Sequence, residues 1–276
     1  MPFVKMEGAG NDYVFVDAVR TGFPVERGAE LARCWSDRHR GIGADGLIVV
    51  LRGDRAPVRM VMWNADGSRG AMCGNGLRCV ARLAHEHGHT AARQFVVETD
   101  AGPRTVELLD GDRVRTAMGE ICCEPAVELA AAERRVVVVP GSAGNPHAVV
   151  FVGDCDGAPV PEVGAALQRH PRFPDGVNVE FVQVLAPDRL RQRTWERGSG
   201  ETLACGTGAA VAVAAARAAG RVQSPRVVVE LRGGVLEIVG DGSSLAIEGP
   251  ARTVFRGDIE LPEAFGQPAP PAPFEE

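Results

Sequence analysis

Shifting the sequence by 132 residues against itself, without a gap, brings two segments into register. Trp63 falls on Trp195, Cys73 on Cys205, Gly74 on Gly206, Gly76 on Gly208, Ala84 on Ala216 and Gly88 on Gly220. Val96, Val97, Glu98 and Gly102 fall on Val228, Val229, Glu230 and Gly234. Ten matches over forty positions, taking in two of the three Trp, mark a duplicated unit. Each copy reads as a strand ending in Trp, a nine-residue polar loop, Cys-Gly-x-Gly, a helix closed by Gly fifteen residues after the Cys, and further strands. Such a chain is expected to form two similar domains facing each other across a pseudo-twofold cleft, each contributing one Cys-Gly helix start.

The rest of the pattern predicts an α+β chain rich in antiparallel sheet, with a central helix in each half. VKM, YVFVD, LIVVL and VRMVMW read as strands early on, and VVVV, HAVVFV, VNVEFVQV and RLRQRTW later. Helices are predicted at about 26–37, 74–87, 161–170 and 206–219. The PAPPAP run at 268–273 reads as part of an extended, mobile tail over 266–276.

A formal charge of −6, with no Lys/Arg cluster, argues against a nucleic-acid or anionic-membrane partner and leaves a small molecule as the expected one. The start MPFVKMEGAG lacks a signal-peptide pattern, and the longest apolar run, Ala209 to Ala216, is too short to span a bilayer. A cytoplasmic location is expected. Seven cysteines (34, 73, 79, 122, 123, 155 and 205) do not resemble a disulfide framework, so reduced thiols are expected.

Two of these thiols stand apart. Cys73 precedes Gly74, Asn75 and Gly76, and Cys205 precedes Gly206, Thr207 and Gly208, so each sits where a helix begins and its first N–H groups are unpaired. Such groups bind anions and favour a thiolate. If both helices point into one cleft, two sulfurs flank one carboxylate-bearing carbon. One thiolate can then take the α-proton from one face while the opposite thiol delivers a proton to the other, with no pyridoxal phosphate or metal. The carbanion's carboxylate would be stabilised by the paired helix ends. A single Cys in a Gly-rich turn is more often a small buried hydrophobe, and Cys34, Cys79, Cys122, Cys123 and Cys155, which lack the pairing, are read so.

At these residues the sequence resembles the diaminopimelate epimerase family. The resemblance runs through KMEGAGNDYVFVD (5–17), NADGSRGAMCGNGLRC (64–79), GNPHAV (144–149), ERGSGETLACGTGAA (196–210) and GPARTVFRGDI (249–259). It implies two similar α/β domains around a cleft, 1–118 joined by a segment at about 251–265, and 119–250, in a homodimer. It implies interconversion of LL- and meso-2,6-diaminopimelate, serving lysine and cell-wall precursor supply. It also implies that Cys73 and Cys205 are the acid/base pair, with Gly74, Asn75, Gly206 and Thr207 on the reacting carboxylate and Asn11 beside them. Asn64, Asn145, Asn178, Glu196 and Arg197 would read the distal L-centre, and His147 and Glu196 would assist at the reacting one. Taken singly, Asn11, Asn64 and Asn145 equally suit turns, and His147 a hydrogen-bonded loop. The chain departs from the family pattern at Ala9, Tyr13 and Arg69.

Other chemistries stay open at this stage. His85-Glu86-His87-Gly88-His89 satisfies H-E-x-x-H, a zinc hydrolase motif, but Gly88 is predicted to end the helix and part the two outer histidines. Gly41-Ile-Gly43-Ala-Asp-Gly46 satisfies G-x-G-x-x-G but follows a helix and precedes a strand, the reverse of a nicotinamide-dinucleotide site. A racemase of the same architecture acting on a histidine- or proline-type substrate is the nearer rival; a non-catalytic binding module leaves the second cysteine unexplained.

Overall fold

A computed structural model describes residues 1–241 and 244–262. The tail expected at 266–276, and the last residues of the segment expected to rejoin the first domain, lie outside them. The first half runs β1 Pro2–Gly8, β2 Asn11–Asp17, the short α1 Ala18–Thr21, α2 Gly28–Ser36, β3 Gly46–Arg52, β4 Val58–Asn64, β5 Arg69–Gly70, α3 Gly74–Glu86, β6 Gln94–Glu98, β7 Arg104–Leu108 and β8 Arg113–Glu120. The second runs β9 Cys122–Cys123, β10 Val127–Ala131, β11 Arg134–Ser142, β12 Pro146–Phe151, α4 Val160–Gln168, β13 Asn178–Ala186, β14 Arg189–Glu196, β15 Gly200–Thr202, α5 Gly206–Ala218, β16 Arg226–Leu231, β17 Gly234–Asp241 and β18 Ser244–Pro250. A last strand, β19 Arg252–Asp258, returns to pair antiparallel with β1.

Apart from β10, an extra strand on β11, the two halves repeat the same pairings. In the first, β1–β2, β3–β4, β6–β7 and β7–β8 are antiparallel and β2–β3 and β4–β6 parallel. In the second, β11–β12, β13–β14, β16–β17 and β17–β18 are antiparallel and β12–β13 and β14–β16 parallel. The 132-residue offset also relates the starts of α2 and α4 and of β3 and β13, beyond the forty positions where residue identities reveal it. Both Trp residues serve one purpose, since a helix crosses each closely enough to need a glycine. A methyl group on Gly28 of α2 would lie 2.2 Å from Trp63, and one on Gly164 of α4 2.6 Å from Trp195.

Each central helix buries its small and aliphatic face in its own half. Leu77, Val80, Ala81 and Leu83 of α3 join Phe15, Ile48 and Met60, whereas Ala209, Val211 and Val213 of α5 join Val182, Leu236 and Ile247. A second apolar layer lies outside each sheet, around Trp35 and Trp63 in the first half and Leu167 and Phe181 in the second. The halves join where β8 pairs antiparallel with β18. On that seam Arg113, Arg115 and Arg226 all donate to the buried Glu248; burial pushes its carboxyl up, but Arg226 and Arg115 outweigh this and hold it below its usual range. A second bond crosses nearby. Arg78 of α3, fully buried, donates to the carbonyl of Pro250 at the end of β18 (3.1 Å) and to the Asn75 side chain (2.7 Å).

Candidate active site

Both Cys-Gly segments fold as the residue types dictate. Cys73 and Cys205 are the N-caps of α3 and α5, in extended conformation (φ −130° and −119°), so each sulfur stands beside the free N–H groups of a first helical turn. Glycines follow because the turn is tightly overlaid: a methyl on Gly76 would meet Ile48 Cδ1 at 2.4 Å, and one on Gly208 would meet Glu180 Oε1 at 2.3 Å. The two starts also meet each other, since a methyl on Gly206 would lie 3.8 Å from Asn75 Oδ1.

Around Cys73 the partners come from β2. Its Sγ lies 3.2 Å from Asn11 Oδ1 and accepts from the Gly76 N–H at 3.4 Å, and the Tyr13 hydroxyl also reaches it. Asn11 is fixed in turn by donating to Asp45 (2.6 Å) and accepting from the Asn75 amide (3.3 Å). Burial pushes the Cys73 thiol up and the Glu196 charge adds to this, while the Gly76 and Asn75 N–H groups and Tyr13 oppose it.

Cys205 is more enclosed, and its surroundings are different in kind. Its Sγ forms a cluster with His147 of β12 and Glu180 of β13, all three ligand-type atoms within 4.8 Å of one another and all three residues buried. His147 Nδ1 is 2.8 Å from Glu180 Oε1, and its Nε2 is 3.1 Å from Asn145 Oδ1. Burial pushes the Cys205 thiol well up, and the charges of Glu196 and Glu180 push it further, against Thr207 and the Gly208 N–H. The Thr207 hydroxyl is 3.5 Å from the sulfur.

Glu196, held by the Thr202 hydroxyl, is the residue whose charge acts on both thiols, so it lies between the halves. Burial raises its carboxyl, with Glu180 and Asp45 adding to the rise. The sequence-predicted residues thus gather as Cys73, Asn11 and Asn75 on one side, Cys205, Thr207, His147 and Asn145 on the other, and Glu196 between, with Gly74 and Gly206 opening the helices. Asn178 accepts from the Arg197 backbone N–H at 2.8 Å, which ties those two together. The Arg197 guanidinium is exposed and donates to the Asp175 carbonyl, and Asn64, also exposed, donates to Ser68. Sequence reading missed Glu180, Asp45 and Arg78. For Glu180 a signal existed: it is an acidic residue two positions after Asn178 in an otherwise apolar strand, hence on the same face.

The chain also has recognisable relatives. The profile described as diaminopimelate epimerase matches residues 3–123 and 141–254. The chain belongs to the diaminopimelate epimerase family. The diaminopimelate epimerase of Geobacillus kaustophilus is 43% identical over 92% of this chain and 95% of its own length, and that of Aromatoleum aromaticum 45% identical over 94% and 98%. In fold, the chain resembles a phenazine biosynthesis protein of the PhzF family from Bacillus anthracis (TM-score 0.74, 15% identity, 95% of this chain and 99% of that one). It also resembles a probable proline racemase from Agrobacterium radiobacter (TM-score 0.69, 19% identity, 94% and 93%).

Within this diaminopimelate epimerase family member the two decoy motifs come apart. The helix carrying His85 ends at Glu86, and Gly88 (φ +78°) turns the chain so that the His89 N–H caps Ala84. His87 and His89, rather than His85 and His89, converge on Asp17, at 2.6 and 2.7 Å. Gly41 to Asp45 are loop leading into β3, whose first residue is Gly46. Arg69 spends its charge on Asp100 (2.7 Å) and the face of Trp63, away from Cys73, and Ala9 sits at φ 56° against the Gly233–Gly234 turn of the other half.

Proposed function

We propose that this chain interconverts LL- and meso-2,6-diaminopimelate, with Cys73 and Cys205 moving one α-proton and with neither metal nor pyridoxal phosphate. The observation that carries this reading is the approach of two Cys-capped helix starts, Asn75 Oδ1 lying 3.8 Å from where a methyl on Gly206 would stand, with Glu196 acting on both sulfurs. A carboxylate placed there would accept N–H donors of Gly74, Asn75, Gly206 and Thr207, leaving its α-carbon between the thiols. One sulfur removes the proton, the carboxylate takes up the developing charge, and the other sulfur returns a proton to the opposite face. Asn64, Asn145, Asn178, Glu196 and Arg197 would hold the distal amino-acid end, a guanidinium for its carboxylate and oxygen acceptors for its ammonium.

The family membership supports the substrate, and with it a place in lysine and cell-wall precursor supply. The described residues contain no helix long and apolar enough to cross a membrane, and a cytoplasmic setting suits such a reaction. We read 1–118 with the returning β19 as one domain and 119–250 as the other. A homodimer is supported by β19, which pairs on one side only among the described residues and exposes Val254 and Phe255.

Proton NMR of LL-diaminopimelate in D2O with the purified protein tests the reading. Loss of the α-proton signal together with formation of the meso isomer is the expected result, and it should vanish in both Cys73→Ala and Cys205→Ala. No exchange by folded, reduced protein would refute the substrate, and turnover by either variant would refute the two-thiol scheme.

A further inference from the structure

The repeat that makes the two thiols equivalent makes what lies behind them comparable, and there the symmetry is broken. Strand register sets the correspondence. Tyr13 pairs with Gly46 and His147 with Asn178, and Gly46 and Asn178 are themselves 132 residues apart. Two residues along, Ile48 corresponds to Glu180, and each lies against the glycine of its helix's third position, Gly76 or Gly208. The Cys73 thiol is therefore backed by a phenol and an alkyl chain, the Cys205 thiol by an imidazole and a carboxylate.

Glu180 has no solvent exposure, and its Oε2 has no hydrogen-bond partner among the described residues. A carboxylate so placed is costly unless a positive charge forms beside it. His147, equally buried, is the group that can carry one, and both lie within 4.8 Å of Cys205 Sγ. The remaining groups facing that sulfur are Glu196 from β14 and, from its own helix, the Thr207 hydroxyl and the Gly208 N–H. None of these supplies a cation.

We propose that Glu180 is a positioning residue for His147. Its carboxylate holds the hydrogen on Nδ1, leaves Nε2 to receive the proton of Cys205, and stabilises the imidazolium that results, the logic of a nucleophile–base–orienter triad put to a proton-transfer task. The Cys205 S–H bond breaks, its electron pair stays on sulfur, and an N–H bond forms at Nε2, where Asn145 Oδ1 at 3.1 Å accepts from it. Nothing is oxidised or reduced. Cys73 has no carboxylate-backed imidazole beside it: its hydrogen-bond neighbours are the Asn11 carbonyl oxygen and the Tyr13 hydroxyl, itself protonated near neutral pH, and the Glu196 charge, which reaches both sulfurs, only pushes its thiol up. Cys205 is thus the first thiolate, and Cys73 begins as the acid.

This inference rests on the two-thiol reading above, but its test does not require turnover. Iodoacetamide alkylation of the substrate-free, full-length protein, followed peptide by peptide by mass spectrometry across pH, reports each thiolate separately. The midpoint for Cys205 should lie below that for Cys73. The Glu180 charge by itself pushes the Cys205 thiol up, but it also sustains the imidazolium beside the thiolate, and loss of that cation outweighs it: Glu180→Gln should raise the Cys205 midpoint by about one pH unit, about tenfold slower alkylation below it, and leave Cys73 within about twofold. His147→Asn should do the same, and serves if the first variant fails to fold. A lower midpoint at Cys73, or a Cys205 midpoint unmoved or lowered by Glu180→Gln, would overturn the proposal even if epimerase activity is intact. The expected alkylation order from a protein inactive on diaminopimelate would instead sink the substrate and keep the dyad.

Discussion

Replacing Gly208 with alanine is the most informative single change, because Gly76 supplies its internal control. The added methyl would sit 2.3 Å from Glu180 Oε1 and 2.9 Å from its Cδ and Cγ, closer than any relaxed contact. Glu180 is fully buried and bonded to His147, so it cannot swing aside without giving up that bond. Overpacking costs about 1–3 kcal/mol, and disturbing a hydrogen bond to a charged group about 1.5–3 kcal/mol more. Allowing for the shared relaxation of one side chain, about 3 kcal/mol is expected. At roughly 2–4 °C per kcal/mol for a chain of this size, the melting temperature should fall by about 10 °C. Gly76→Ala crowds the terminal methyl of Ile48 at 2.4 Å and Met60 Cε at 3.3 Å, the far ends of flexible side chains, and makes an ordinary contact with Cys73 Cβ at 3.7 Å, so it should cost about 1 kcal/mol. Scanning calorimetry of both variants decides the matter. Gly208→Ala as stable as Gly76→Ala would refute the premise that Glu180 is pinned.

Other outcomes follow from the same geometry. Asp17→Asn should destabilise by about 1–3 kcal/mol, because burial opposes the Asp17 charge but the hydrogen bonds of His87 and His89 outweigh it and hold the carboxyl below its usual range. With a depressed folded value, that contribution is present above the unfolded carboxylate pKa of about 3.9 and is lost as pH falls through the folded one, so denaturant melts of wild type and variant should converge in acid. Mild oxidation should inactivate the enzyme, and dithiothreitol restore it, through a Cys73–Cys205 disulfide visible by peptide mapping; insensitivity would count against the proximity of the sulfurs. Tyr13→Phe removes a donor to Cys73 and should slow Cys73 alkylation at a fixed pH by a few-fold without touching Cys205; equal slowing at both thiols would refute a local role.

How legible this was depended on what each residue had to satisfy. The Cys-Gly helix starts, their glycine stops and the two Trp kept their identities in both copies, because each is fixed by local backbone geometry or close packing, and a shifted alignment finds them. The α2/α4 and β3/β13 copies were invisible to the same test. Their residues need only be apolar on one face, so GAELARCWS and VPEVGAALQ share a shape and almost no letters. Glu180 was lost for a related reason. An inward polar residue on a strand gains meaning only when β12 is laid parallel beside β13 in the register that sets His147 opposite Asn178, and parallel pairing is decided by contacts far apart in the chain. The tempting H-E-x-x-H failed on one local fact, the glycine at 88, yet which histidines would meet Asp17 lay in the tertiary path.

The return of β19 to β1 has a consequence for how the chain could be rewired. The Met1 ammonium donates to the Ile259 carbonyl at 2.7 Å, and the Ile259 N–H donates to Met1 at 3.0 Å, so the strand order closes on itself like a ring with its clasp at that contact. A circular permutant that joins the chain after Ile259 back to Met1 and opens at the exposed residues 124–126 would keep all of these strand pairings while presenting the Cys205 half first. In such a molecule N- and C-terminal half exchange names, and what still tells them apart is the chemistry behind each sulfur.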